Sequence, residues 1–221
     1  MIMDPLLTHS ILANLTIGSG ILSLLCLLIL HLVSPEFKPS WRMVSEYAMG
    51  KHKWLITSFF MLWALSTFFL AILLRNSVST QWAMFGVLLL FVSGIGAFMG
   101  GAFDVKHKLH GLAFLLGVPS LPIAALIISY HVVSIENWNL YKSSILFSAH
   151  STWISLVLMA VSMFVIMSGF KKAGMPMGPN EEPPKVVPDG VIALNGYANR
   201  LLIMCYIFWL IVIAKTYLLL L

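Results

Sequence analysis

The chain has 221 residues, 60% of them hydrophobic and 10% charged, against a charged fraction of about 25% in soluble globular domains. With a mean hydropathy of +0.95, this composition excludes a soluble globular protein and places the chain in a bilayer. Thirteen Lys and Arg against eight Asp and Glu give a net charge of +5, but the basic residues stand between apolar runs, so they report topology and no nucleic-acid partner is expected.

A helix that crosses a bilayer needs about 20 apolar residues. Runs that meet this length lie at about 11–33, 54–74, 82–103, 110–133, 144–169 and 200–221. They predict an all-α, polytopic membrane helical bundle of six transmembrane helices, one transmembrane domain over residues 1–221. The first run is too long for a signal-peptide core and is not followed by a small-residue cleavage site, so it reads as a span. Lys38, Arg42, Lys51 and Lys53 fall in the first connection and Lys106 and Lys108 in the third. Lys171, Lys172, Lys185 and Arg200 fall in or beside the fifth, whereas the opposite side has only Arg75, Lys142 and Lys215. The positive-inside rule makes the odd connections cytoplasmic and puts the N-terminus and C-terminus outside. The expected setting is the inner (plasma) membrane of a bacterium or archaeon. Cys26 and Cys205 lie inside apolar runs without metal-site spacing and read as small packing residues.

Span three ends in SGIGAFMGGAF, where Ser93, Ala97 and Gly101, and separately Gly96 and Gly100, form ladders of small residues four apart. Such ladders let two helix backbones approach closely, either inside the bundle or across a homodimer seam. Pro119 and Pro122 in span four deprive the carbonyls of Leu115 and Val118 of their helical donors, which predicts a bend with a pocket beside it. The fifth connection, about 170–199, holds Pro176, Pro179, Pro183, Pro184 and Pro188. It reads as an extended cytoplasmic strap, either a tether or a lid.

An ionisable side chain in or near a bilayer is costly enough to count as a functional hypothesis. Glu46 and His52 precede span two, Asp104, His107 and His110 fill the third connection, and Asn195, Asn199 and Arg200 open span six. Topology brings these stretches to one end, where Glu46 and Arg200 are expected to form a polar clamp. Were 104–110 helical, Asp104, His107 and His110 would share a face. They would then form an acid/base pair or hold a divalent metal such as zinc, the alternatives being a structural Asp–His or Glu–Arg network and a small-molecule or lipid headgroup site without metal; no other cofactor is expected. His150 lies in span five, which starts at the opposite face from span four, so His110 and His150 are expected at different depths.

The segments SEYAMGKHKWLITSFFMLWALS, GAFDVKHKLHGLAF and GYANRLLIMCYIFWLIV resemble, in that order, the integral membrane family catalogued as domain of unknown function 998. The resemblance implies a six-helix membrane protein whose polar positions to watch are Glu46, Asp104, His110 and Arg200. His107 and the Pro-rich strap are not part of it, and no activity comes with it.

Three functions remain open. The first is binding, with or without chemical conversion, of a lipid-like or isoprenoid-type small molecule in an intrabundle pocket that opens toward the cytoplasmic side. His110 would be the general acid or base, Asp104 or Glu46 would set its tautomer and Arg200 would stabilise an anion. Pro119, Pro122, His150 and Asn195 would contribute to binding, with membrane lipids as surroundings. The second is a small-molecule transporter, which needs polar groups at the midplane. The third is a structural or assembly protein, which needs only the glycine ladder and an apolar surface.

Overall fold

In hydrocarbon every backbone N–H and C=O needs a partner within the protein, so apolar runs fold as helices. A computed structural model of the chain describes residues 5–175 and 186–221, which are helical or irregular and contain no strand. Among the described residues six helices are long and apolar enough to cross a membrane: α1 (Pro5–Val33), α2 (Lys53–Arg75), α3 (Gln81–Ala102), α4 (His110–Val132), α6 (Lys142–Lys172) and α7 (Asn195–Leu219). The protein is an integral membrane protein. A short α5 (Glu136–Asn139) and a 3-10 turn (Val44–Met49) occupy two connections.

The helix ends run past the apolar runs because the flanking polar groups find partners within the protein. α7 starts at Asn195 rather than near residue 200, since Asn199 and Arg200 bond to the first connection. α1 starts at Pro5, and within it Asn14 Nδ2 donates to the Ser10 carbonyl over 2.9 Å. α6 has 31 residues, about 46 Å of helix, against a hydrocarbon core of about 30 Å. Its surplus ends in Lys171 and Lys172.

Neighbouring helices close a ring in the order α1, α2, α3, α4, α6, α7 and back to α1, with α7 also touching α2 and α4. The interior is filled by Leu30, Leu70, Leu90, Leu121, Ile207 and Trp209, all fully buried. Directional bonds fix the register of this apolar packing. Ser66 Oγ donates to the Thr16 carbonyl at 2.8 Å, and Trp209 Nε1 donates to Ser129 Oγ at 2.9 Å.

The glycines of α3 are used inside the chain. A Cβ on Gly96 would stand 2.2 Å from the Gly117 nitrogen of α4, and one on Gly94 would stand 2.5 Å from the Phe68 ring of α2. Gly101 faces Phe60 and the Thr57 carbonyl. These contacts place the ladder against α2 and α4, so a homodimer seam would have to use other surface. α4 remains one α-helix through Pro119 and Pro122. Of the Pro-rich strap, Pro176, Pro179, Pro183 and Pro184 lie outside the described residues.

Candidate functional site

The first connection, the third connection and the start of α7 meet at one end of the bundle. Gly196 makes the junction possible: a Cβ there would lie 2.4 Å from the Pro39 carbonyl oxygen, and its N–H donates to the Ser40 carbonyl at 3.0 Å. Close approach at this glycine brings Arg200, one turn on, under the connection. Arg200 is buried. Its Nε donates to His31 Nε2 at 2.6 Å, its Nη1 to the carbonyls of Arg42 at 2.7 Å and Gly196 at 2.9 Å, and its Nη2 to the Tyr47 hydroxyl at 3.2 Å. A guanidinium only donates, so His31 Nε2 accepts, and the imidazole proton sits on Nδ1, which donates to the Leu27 carbonyl at 2.6 Å.

The expected Glu46–Arg200 clamp takes a different form. Glu46 Oε2 accepts from Arg42 Nη1 at 2.6 Å and Oε1 from the Met43 N–H at 3.0 Å, which closes the 3-10 turn. The turn places Glu46 one helical step from Arg42, and that nearer cation takes the carboxylate. Among the described residues Arg200 forms no ion pair; it reaches Glu46 only through Arg42, whose carbonyl it bonds.

The third connection consists of two successive turns, closed by His107 N–H to the Asp104 carbonyl and His110 N–H to the His107 carbonyl, each at 2.9 Å. Without a helix here the three side chains diverge. Asp104 accepts from Lys53 Nζ at 2.9 Å and from the Lys106 N–H at 3.2 Å, and the Lys53 hydrogen bond holds its carboxyl below the usual range. The His107 ring stacks on Phe103 at 4.4 Å, and its Nδ1 accepts from the Leu109 N–H at 3.2 Å. His110 Nδ1 donates to the Phe103 carbonyl at 3.1 Å. Asp104 therefore does not set the His110 tautomer; a backbone carbonyl does. Among the described residues no three His, Cys, Asp or Glu side chains are grouped to hold a metal ion.

Behind His110 lies a narrow cavity of about 80 Å³ among α2, α3, α4 and α7, bordered at one end by residues 43–45. It arises where Gly96 and Gly117 bring α3 and α4 backbone to backbone, while the small Ala97 and Gly100 leave space beside Phe60 and Trp63. Its walls are otherwise apolar, including Phe114, Leu202 and Ile203. On the α4 side, Tyr206 donates to the Val118 carbonyl at 2.6 Å, replacing the donor that Pro122 lacks. Ser93 donates to the Gly117 carbonyl at 3.0 Å.

Among the described residues His110, Asn199 and Ser45 border the cavity with hydrogen-bonding capacity left, and the Ser93 oxygen can still accept. His110 uses Nδ1 and keeps Nε2. Asn199 accepts from the Val44 N–H at 2.9 Å, while among the described residues its Nδ2 reaches only the Met159 sulfur at 3.5 Å. Ser45 borders the cavity, and no hydrogen bond engages its hydroxyl among the described residues.

The other expected site residues lie elsewhere. Pro119 and Pro122 sit on α4 next to the cavity wall without lining it. Asn195 is buried at the start of α7, its Oδ1 without a hydrogen-bond partner among the described residues. His150 accepts at Nδ1 from Trp153 Nε1 at 2.8 Å, so its Nε2 proton points to the Tyr130 hydroxyl at 3.1 Å. It borders a groove with Leu201 and Cys205, apart from His110. Sequence reasoning passed over Ser45, Tyr47 and His31. The last carried a usable signal, an ionisable residue at the end of a long apolar run.

Neither curated proteins nor solved structures gave a match to this chain. A family model described as protein of unknown function (DUF998) matches residues 17–216, most of the length, and the chain belongs to that family.

Proposed function

We propose that this integral membrane protein binds a lipid-like molecule through a single hydrocarbon or isoprenoid chain. The observation that carries the reading is the cavity: apolar walls inside the bundle, with Ser45, His110 and Asn199 at its border near the first and third connections. The narrow cavity of about 80 Å³, walled by Phe60, Trp63, Phe114, Leu202 and Ile203, suits a slim chain segment. Phe114 both lines the cavity and is 46% exposed on the bundle surface, which favours lateral entry from the bilayer.

A transporter would need a midplane site open to both faces, and the middle of the bundle is filled by Leu90, Leu121 and Ile207. An assembly role would draw on the α3 glycines, which α2 and α4 already cover. In the proposed orientation the odd connections face the cytoplasm of a bacterium or archaeon, and both termini lie outside, on the strength of the basic residues. A reporter fused to the C-terminus should be active only outside.

Binding is tested with vesicles containing a lipid that carries a diazirine in its acyl chain. Photolysis should give adducts on Ala113 and Ile203, which are 4% and 3% exposed and hidden from surrounding lipid. Adducts confined to surface residues such as Leu115 and Phe98, 64% and 50% exposed, would overturn the reading.

A further inference from the structure

The polar border of the cavity holds more than a headgroup contact needs. His110 has its Nδ1 proton committed to the Phe103 carbonyl at 3.1 Å, an acceptor that cannot exchange roles. The ring is thereby fixed with Nε2 as a bare acceptor, the arrangement a general base requires. Ser45 borders the same cavity, its hydroxyl engaged by no hydrogen bond among the described residues. Asn199, which also lines the cavity, is held through Oδ1 by the Val44 N–H, the residue before Ser45; one Nδ2–H faces the Met159 sulfur at 3.5 Å, which leaves the amide's second N–H as a donor. Of the nearby carboxylates among the described residues, Asp104 is taken by Lys53 and Glu46 by Arg42.

Resting on the lipid-binding reading above, we infer that the cavity border is a serine-histidine acyl-ester site acting on a single-chain lipid carboxylic ester. Ser45 is the nucleophile, His110 the general base and Asn199 the donor to the oxyanion. His110 Nε2 takes the Ser45 Oγ proton as Oγ bonds to the ester carbonyl carbon, and the carbonyl electron pair moves onto oxygen, where Asn199 Nδ2–H donates to it. Collapse of the tetrahedral species breaks the bond to the alcohol oxygen, which leaves with the proton from His110. The acyl-Ser45 ester is then attacked by water, whose proton His110 accepts and returns to Ser45 Oγ as the carboxylic acid departs. The net reaction is ester plus water to acid plus alcohol. Ser45 and His110 are not hydrogen-bonded to one another in the structure, and catalytic hydrogen bonds of this kind commonly tighten only around substrate. The neutral imidazole and a carbonyl orienter replace the carboxylate of a full triad.

The full chain in lipid nanodiscs is treated with an alkyl fluorophosphonate, which phosphonylates activated serines, and the adduct is located by tandem mass spectrometry. Diazirine-lipid crosslinking to Ala113 runs in parallel, and thermal unfolding verifies that each variant folds. The expected result is an adduct on Ser45 that is absent in Ser45→Ala and forms at least about 100-fold more slowly in His110→Ala, with crosslinking to Ala113 seen in wild type. Wild-type protein should also release fatty acid from a monoacylglycerol, and Ser45→Ala should not. Crosslinking to Ala113 without a Ser45 adduct overturns the esterase inference and leaves the binding reading standing. Loss of crosslinking in wild type removes both. A Ser45 adduct that forms equally fast in folded His110→Ala overturns the assignment of His110 as base.

Discussion

Arg200 Nε donates to His31 Nε2 over 2.6 Å, tying the first turns of α7 to the last turn of α1 across 169 positions of sequence. A buried guanidinium usually finds a carboxylate; this one is held by an imidazole, a phenol and two backbone carbonyls. Only a neutral imidazole can accept at Nε2, so the pair couples the charge on Arg200 to the Nδ1 tautomer of His31. It is a structural keystone beside the cavity rather than part of its lining.

Removal of the acceptor should therefore be costly. His31→Leu leaves a buried charged N–H unsatisfied and is expected to destabilise the protein by about 2–3 kcal/mol, whereas His31→Gln, which keeps an acceptor, should cost less. Thermal unfolding in mild detergent reads the difference. Equal stability of His31→Leu and wild type would show that the bond contributes nothing.

A second relationship joins Tyr206 to the proline turn. Tyr206 donates to the Val118 carbonyl at 2.6 Å, the carbonyl that Pro122 leaves without its helical donor. Tyr206→Phe should cost about 1–3 kcal/mol in wild type, since it orphans a buried acceptor. In a Pro122→Ala background the helix supplies its own N–H, so the same substitution should cost markedly less. A double-mutant cycle measures the coupling, and additive effects would contradict this role for Tyr206.

The six spans were legible because apolar length alone separates a bilayer helix from its connections. Their ends were not, because Asn195, Asn199 and Arg200 are helical by virtue of partners in a distant connection. That Glu46, Asp104, His110 and Arg200 gather at one end followed from counting spans; their pairing did not follow. Glu46 bonds Arg42, four residues away, and Asp104 bonds Lys53, 51 residues away, each choice set by turn geometry that composition does not encode. The cavity was still further from view, since it depends on two glycines, Gly96 and Gly117, meeting across α3 and α4.

That meeting gives a third prediction. Gly96→Ala would put a methyl 2.2 Å from backbone nitrogen, which no rotamer can relieve, whereas Gly18 has nothing within 4 Å of the same position. Gly96→Ala should destabilise by about 3 kcal/mol or more, the upper range for overpacking. Gly18→Ala should be neutral or stabilise by up to about 1 kcal/mol, through helix propensity. Similar unfolding temperatures for the two variants would argue against close contact between α3 and α4.

The last prediction separates Asp104 from the chemistry of His110. The Lys53 hydrogen bond is the main cause of the lowered Asp104 carboxyl pKa, with the Lys106 N–H adding to it. A folded pKa below the unfolded value means that the ionised carboxylate stabilises the fold above the ordinary aspartate range near about 3.9. That stability is lost as pH falls through the lower folded pKa. Lys53→Met should move the Asp104 midpoint upward in a carboxyl-carbon NMR titration. Because the pair is solvent-exposed, unfolding stability at neutral pH should change by less than about 1 kcal/mol. Asp104→Asn should leave the His110 ring in the same tautomer, since the Phe103 carbonyl holds Nδ1–H, and nitrogen chemical shifts of the imidazole read that directly. A switch of the proton to Nε2 in Asp104→Asn would return Asp104 to the orienting role that the sequence had suggested, and would remove the basis for treating His110 as a base positioned by the backbone.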